Sequence, residues 1–182
     1  MSVGAWQVPG IEITTKRLQL RRFNFADAAF FVELLNDPAW LRFIGDRGVR
    51  NEHDARSYMA KTYIAQYKTL GYGLYLVQRT VDGKPIGMCG LIKREGLDDA
   101  DIGFAFLPAF LPAFRGQGYA VEAATATLTY GRDMLKLARV VAIATPDNVS
   151  SIALMSKIGM KFEHATRFPD DAEELVLYSV EF

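Results

Sequence analysis

Apolar positions along the chain switch between two spacings, one of about two residues and one of about three and a half. Over 11–22 the pattern alternates through Leu18-Gln19-Leu20 and predicts a first strand. Over 24–36, Ala28, Phe31, Leu34 and Leu35 recur at helical spacing behind Asn24, a good N-cap. Asp37-Pro38 stops that helix, and a short helical piece around 40–43 follows. A polar loop over 45–48 holds Asp46 and Arg47 and leads to Arg50. Asn51-Glu52-His53-Asp54 has the form of a capping box without the preferred Glu or Gln at its fourth position. It opens a long helix that ends near Gly71. Met59, Tyr63 and Tyr67 fall four apart on that helix, and such a stripe is core more often than it is a ligand box.

Strands are expected over 73–80 and 85–93, joined by Val81-Asp82-Gly83-Lys84, a strong hairpin signal. A further strand covers 101–106. An Ala-rich helix spans 118–137, and a short apolar strand covers 140–144. Pro146-Asp147-Asn148 starts a helix that ends at Gly159, a natural C′ residue. The last two strands are expected over 161–167 and 174–182, with Asp170 and Asp171 in the turn between them. Residues 1–10 read as an irregular lead-in. One tandem tetrapeptide interrupts the order: Leu107-Pro108-Ala109-Phe110, then Leu111-Pro112-Ala113-Phe114. Two prolines exclude regular ladder bonding, so a bulge or extended elbow is expected there.

Composition narrows the function class. A chain of 182 residues, half of them hydrophobic, is expected to be one ordered domain with a single substantial core. Formal net charge is zero, so no global field draws it to nucleic acid or to an anionic membrane. Any anion binding must be local. The single Cys89 excludes an internal disulfide, leaves little scope for a cysteine metal site, and reads as a small core residue. No apolar run approaches the roughly 18–20 residues of a membrane span. The N-terminus lacks a basic-then-apolar signal pattern. A cytoplasmic protein is the simplest expectation.

The local anion site is legible at Arg115-Gly116-Gln117-Gly118-Tyr119-Ala120. A strand ends just before this stretch and a helix begins within it. Gly116 and Gly118 let a ligand approach the main chain. The amides of a helix's first turn have no intrahelical partners, and the dipole makes that end positive. Phosphate or pyrophosphate is the natural occupant, with Arg115 adding a permanent charge. The alternative is a plain strand-to-helix turn. The stretch matches neither the dinucleotide fingerprint nor the P-loop.

The hexapeptide resembles Arg/Gln-x-x-Gly-x-Gly/Ala, the loop with which the GNAT acetyltransferases hold the pyrophosphate of acetyl-CoA. Tyr119-Ala120-Val121-Glu122-Ala123-Ala124 resembles the opening of that family's central helix. About thirty residues on, Asn148-Val149-Ser150-Ser151 with Lys157-Ile158-Gly159-Met160-Lys161-Phe162 resembles a second family block. Thr15-Lys16-Arg17-Leu18-Gln19-Leu20-Arg21 resembles the opening of the ribosomal-protein alanine and serine N-acetyltransferase branch.

The resemblance implies an α+β fold. Its mixed, mostly antiparallel sheet of about six to seven strands is splayed in the middle and flanked by about four helices. It also implies one N-acetyltransferase domain over 1–182, with the first two helices flanking the acceptor pocket. The implied reaction moves an acetyl group from acetyl-CoA to a primary amine, a protein N-terminus or a small molecule, by direct attack in a ternary complex. No metal, nucleic acid or membrane is needed, and the chain is a monomer or homodimer. The cofactor-binding set is then Phe104, Ala105, Phe106, Leu107, Arg115, Gly116, Gln117, Gly118, Tyr119, Ala120, Asn148 and Ser151. In the family one Leu-Pro-Ala-Phe unit leads into the glycine loop, so the second unit inserts four residues at that junction.

Proximity and oxyanion stabilisation should dominate, because a thioester is already reactive toward a free amine. Backbone amides around Phe104 to Leu107 are the oxyanion candidates. Asp101 is the first candidate base, directly or through water, and an exposed strand-end carboxylate is the alternative reading. Glu95, Asp170 and His53 are the other titratable groups in view. Many relatives use a Tyr from the helix after Asn148 as the acid. Here Met155 stands at that position and cannot donate a proton. Ser151 is the candidate acid, with helix capping as its alternative role. Met155 and the doubled unit also motivate a second hypothesis, a non-catalytic acyl-CoA-binding or sensing module.

Overall fold

The computed structural model describes residues 10–107, 118–168 and 173–182. The lead-in up to residue 9, the tandem elbow beyond Leu107, Arg115, Gly116 and Gln117, and the pair Asp170 and Asp171 lie outside the described residues.

The strands are β1 Ile11–Thr14, β2 Leu18–Arg21, β3 Leu74–Arg79, β4 Pro85–Ile92, β5 Ala100–Phe106, β6 Arg139–Ala144, β7 Lys161–Thr166 and β8 Leu175–Glu181. They form one sheet in the order β1-β2-β3-β4-β5-β6-β8-β7. Every neighbouring pair is antiparallel except β5 and β6. The α-helices are α1 Ala28–Leu35, α2 Pro38–Phe43, α3 Glu52–Met59, α4 Ala65–Leu70, α5 Tyr119–Asp133 and α6 Val149–Lys157.

The expected first strand is a hairpin of two short strands, which brings the sheet to eight. The chain reverses because the Thr15 amide donates to the Leu18 carbonyl at 2.9 Å. The Leu18 amide donates back to Thr15 Oγ1 at 2.9 Å. A hydroxyl thus makes the turn that glycine or proline usually marks. The expected single helix between Asn51 and Gly71 contains a π-turn, Ala60–Ile64, between α3 and α4. One extra residue in the turn lets Tyr58 and Tyr63 converge, ring centroids 6.1 Å apart, on a cluster with Phe31 and Phe23. Met59, Tyr63 and Tyr67 are all buried, as the core reading of the stripe requires. Helix α5 ends four residues before its expected end at 137, and Lys136 takes a left-handed φ of 57° just beyond.

Helix α5 packs on β4 and β5 and also reaches the β1–β2 hairpin. Cys89 on β4 meets Thr127 of α5, sulfur to oxygen at 3.3 Å. Burial pushes the thiol up to about 12, outweighing that contact and one from the Gly90 backbone. It is an inert core group at neutral pH. Fully buried side chains such as Phe31, Leu34, Leu76 and Met88 each stabilise the core by about 1.5–3 kcal/mol.

Candidate active site

Among the described residues the parallel junction of β5 and β6 is the shortest pairing in the sheet. Strands β5 and β6 pair only at Ala100 with Val140 and at Asp101 with Val141. On the other side of β5, pairing with β4 runs from Ile92–Asp101 to Gly87–Phe106. On the other side of β6, pairing with β8 runs from Arg139–Glu181 to Ala144–Val176. Beyond Asp101 the two central strands therefore part, each still held by its outer neighbour.

The parting leaves one side of β5 without a β6 partner beyond Asp101. The Leu107 amide donates to the Ile86 carbonyl at 3.0 Å, so it faces β4. Antiparallel ladders alternate residue by residue. Counting back, the amide of Ala105 faces β4 as well, while those of Phe104 and Phe106 face the side where β6 has departed. Of the four amides expected to serve a ligand here, those of Ala105 and Leu107 are thus a correction, because both point into the β4–β5 ladder. Phe104 and Phe106 remain available, and both side chains are half-buried.

Asp101 sits at the vertex, the last β5 residue to pair with β6. It is 1% exposed, so the reading of an exposed strand-end carboxylate is wrong. Arg94 Nε donates to its Oδ2 at 2.8 Å. Burial pushes the carboxyl up to about 6, and the charge and hydrogen bond of Arg94 hold it from going higher. A buried carboxylate with one cationic partner and a proton affinity near neutrality fits a general base. Sequence reasoning missed Arg94, whose only signal was a basic residue on the far side of the β4–β5 connection. Glu95 is exposed in that connection, and His53 is exposed at the start of α3.

At the other end of β5, Gly118 is the N-cap of α5 with φ 75° and ψ 16°. Only glycine adopts that conformation without strain. A Cβ there would meet nothing nearer than Arg17 Nη2, 3.8 Å away, so the requirement is conformational. Tyr119 and Ala120 form the first turn. Arg17, from the β1–β2 turn, lies over the Tyr119 ring at 4.4 Å. Glu122 gathers Thr15 Oγ1 at 2.6 Å, the Arg17 amide at 3.0 Å and Arg17 Nε at 2.6 Å. Burial raises the Glu122 carboxyl, but these donors outweigh it and hold the group below its usual range. Arg17 and Glu122 stand 105 positions apart, and no sequence pattern ties them.

Helix α6 begins at Asn148, whose Oδ1 accepts from the Ser151 amide at 3.2 Å, so the capping role of Asn148 is realised. Ser151 is half-buried in the first turn. Met155 is fully buried, which leaves it a packing role. Past the C-terminal end of β6, Arg42, Thr145, Pro146, Asp147, Glu173 and Glu174 line an open cleft of about 410 Å³. Arg42 pairs with Asp147 at 2.9 Å. Asp147, Glu173 and Glu174 supply the carboxylates of its lining. A larger groove of about 650 Å³ runs between β1 and α5, and apart from Glu122 it holds none of the residues above. Among the described residues no cluster of His, Cys, Asp or Glu could hold a metal ion. No described helix is long and apolar enough to cross a membrane.

Among solved structures, a GNAT-family acetyltransferase from Bacillus anthracis aligns with a TM-score of 0.75 and 28% identity, over 93% of this chain and 97% of that one. RimL, a ribosomal L7/L12 alpha-N-protein acetyltransferase in complex with coenzyme A, shares the fold with a TM-score of 0.76 at 19% identity, over 95% of this chain and 98% of that one. In sequence, the uncharacterised N-acetyltransferase YnaD of Bacillus subtilis (strain 168) is 33% identical over 153 residues, 84% of each chain. The acetyltransferase (GNAT) domain profile matches residues 17–161, from the Arg17 turn to the start of β7, and on that match the chain belongs to the GNAT acetyltransferase family.

Proposed function

We propose that this acetyltransferase moves an acetyl group from acetyl-CoA to a primary amine by direct attack within a ternary complex. The amine is a protein N-terminal α-amine or a small-molecule amine, and a single domain spanning the chain does the work. The carrying observation is the two-residue junction of β5 and β6, which ends at a buried carboxylate. When bound, the cosubstrate supplies a thioester carbonyl that is already reactive toward amines.

The chain's residues divide the remaining tasks. The N-terminal amides of α5, with Gly118, Tyr119 and Ala120 and the adjoining Arg115, Gly116 and Gln117, hold the diphosphate. The Phe104 and Phe106 amides face the gap and stabilise an oxygen as it gains charge. Asp101 takes the amine's proton, directly or through water. With its proton affinity raised to about 6, it is mostly ionised at pH 7 yet basic enough to act. An α-amine, with a reference pKa of about 8, needs less help from such a base than a lysine at about 10.4. Ser151 is the proposed proton donor to the leaving thiolate, which needs little help because a thiol's reference pKa is about 8.5.

Thiol release from acetyl-CoA against a panel of peptides and small amines tests the proposal. Turnover on one amine class supports it. Tight coenzyme A binding with no turnover on any amine would instead favour the non-catalytic binding module.

A further inference from the structure

The β1–β2 turn reaches across to the first turn of α5, and this contact has a purpose beyond packing. Glu122 stands one turn into α5, where its carboxylate favours the helix dipole. The same negative charge works against any anion brought to the Gly118 end. The structure neutralises it locally. Arg17 binds Glu122 through Nε and Nη2, both at 2.6 Å, and through its own amide, while Thr15 adds a hydroxyl. The guanidinium is not swallowed by that pair. It lies over the Tyr119 ring, 39% exposed, and its Nη2 is the nearest atom to where a Gly118 side chain would begin. Arg79, at the end of β3, also reaches Tyr119, through that residue's hydroxyl. One arginine from the β1–β2 turn and one from the end of β3 thus converge on the residue after Gly118.

We infer that Arg17 is a positioning and charge-compensating residue for the phosphate end of the cosubstrate site: it cancels the Glu122 carboxylate and presents its guanidinium beside the Gly118 turn. The inference rests on the reading that coenzyme A phosphates bind at the start of α5. Its physical content is a sign. A merely structural ion pair weakens ligand binding when either partner is lost. A compensating pair makes the two losses opposite, because removing the arginine uncovers a negative charge and removing the glutamate frees a positive one.

The test is calorimetric titration of coenzyme A into purified wild type, Arg17→Gln, Glu122→Gln and the double variant, at low and high salt, with melting temperatures recorded alongside. Arg17→Gln is expected to weaken coenzyme A binding roughly tenfold at low salt, the order expected for one uncancelled charge near a diphosphate. Most of that difference should vanish at high salt, where the charge is screened. Glu122→Gln should bind as tightly as wild type or several-fold tighter, and the double variant should recover to within about threefold of wild type. Equal weakening in both single variants, or no recovery in the double, assigns the pair a purely structural role and overturns the inference. So does unchanged affinity in Arg17→Gln. If the wild type itself gives no heat with coenzyme A, the site reading falls and this inference falls with it. If Arg17→Gln melts too early to titrate, Arg17→Lys, which keeps the charge but not the fork, should bind within about threefold of wild type, and a tenfold loss there overturns the inference.

Discussion

The two ends of β5 do opposite kinds of electrostatic work. At the Gly118 end the charges are fixed. Guanidinium groups and the helix dipole hold their sign at any working pH, and Glu122 is pinned below the usual carboxylate range. At the Asp101 end the charge is conditional, because burial has moved one carboxyl into the range where it exchanges a proton near neutrality. Binding an anion needs the first kind of site, and moving a proton needs the second. The difference comes from solvent. Arg17 keeps 39% of its side chain exposed, whereas Asp101 keeps 2%. Salt should therefore act on one end and pH on the other.

The largest expected effect breaks the Gly118 end. A β-branched residue forced to φ 75° cannot hold the turn's shape. Gly118→Val is expected to raise the dissociation constant for coenzyme A at least about a hundredfold. The strain of a left-handed residue costs about 1–2 kcal/mol, so the variant should remain folded with a lower melting temperature. Intact affinity by calorimetry would remove the cradle from the proposal. Next in size, Asp101→Asn should lower turnover by roughly 10²- to 10⁴-fold while leaving coenzyme A affinity within about twofold of wild type. In the wild type the rate should climb with pH through an apparent pKa near 6, and that limb should be missing from the variant. A limb that persists places the base elsewhere. Ser151→Ala sharpens the contrast at a third point, with turnover expected to fall several-fold at constant coenzyme A affinity. Equal turnover in the two proteins would leave Ser151 only its place in the first turn of α6.

The smallest effect is on stability. The fold raises the Asp101 carboxyl above its unfolded value, so the native state favours the protonated form. The stability this contributes is full below about pH 4 and is lost as pH rises toward 6. Paired carboxylates such as Glu122 and Glu163 pull the other way. The difference between wild type and Asp101→Asn isolates the effect. Their unfolding midpoints in urea should diverge between pH 4 and 6, with the wild type losing ground, and parallel curves would mean that Asp101 titrates at its ordinary value.

Local chemistry was legible in the sequence where one residue settles one hydrogen bond. Asn51 and Asn148 cap the helices expected of them through their side-chain oxygens, while Asn24 caps a 3-10 turn, Phe25–Asp27, that leads into α1. Asp82-Gly83 closes the β3–β4 connection, where Gly83 takes φ 66°. The β1–β2 reversal was not legible, because Thr15-Lys16-Arg17 carries none of the usual turn residues and its hydroxyl serves in their place. The site was legible as motifs but not as geometry. Arg17 and Glu122 were both visible inside recognised blocks, and nothing local could announce that they meet. Asp101 was visible as a candidate, yet its burial depends on how Ile92 and Val141 flank it, which only the assembled sheet decides. The Phe104–Leu107 amides were expected as a group, and only the ladder's parity separates Phe104 and Phe106, which face the gap, from Ala105 and Leu107, which face β4.

The short seam between β5 and β6 also bears on motion. A sheet joined at two positions behaves as two panels, one of five strands and one of three, that share a hinge at Asp101. Each panel keeps its own ladder, so twisting one against the other breaks few hydrogen bonds. Thermal breathing of the molecule should therefore concentrate along that line, and Asp101, the proposed proton acceptor, sits on the axis, where displacement is least.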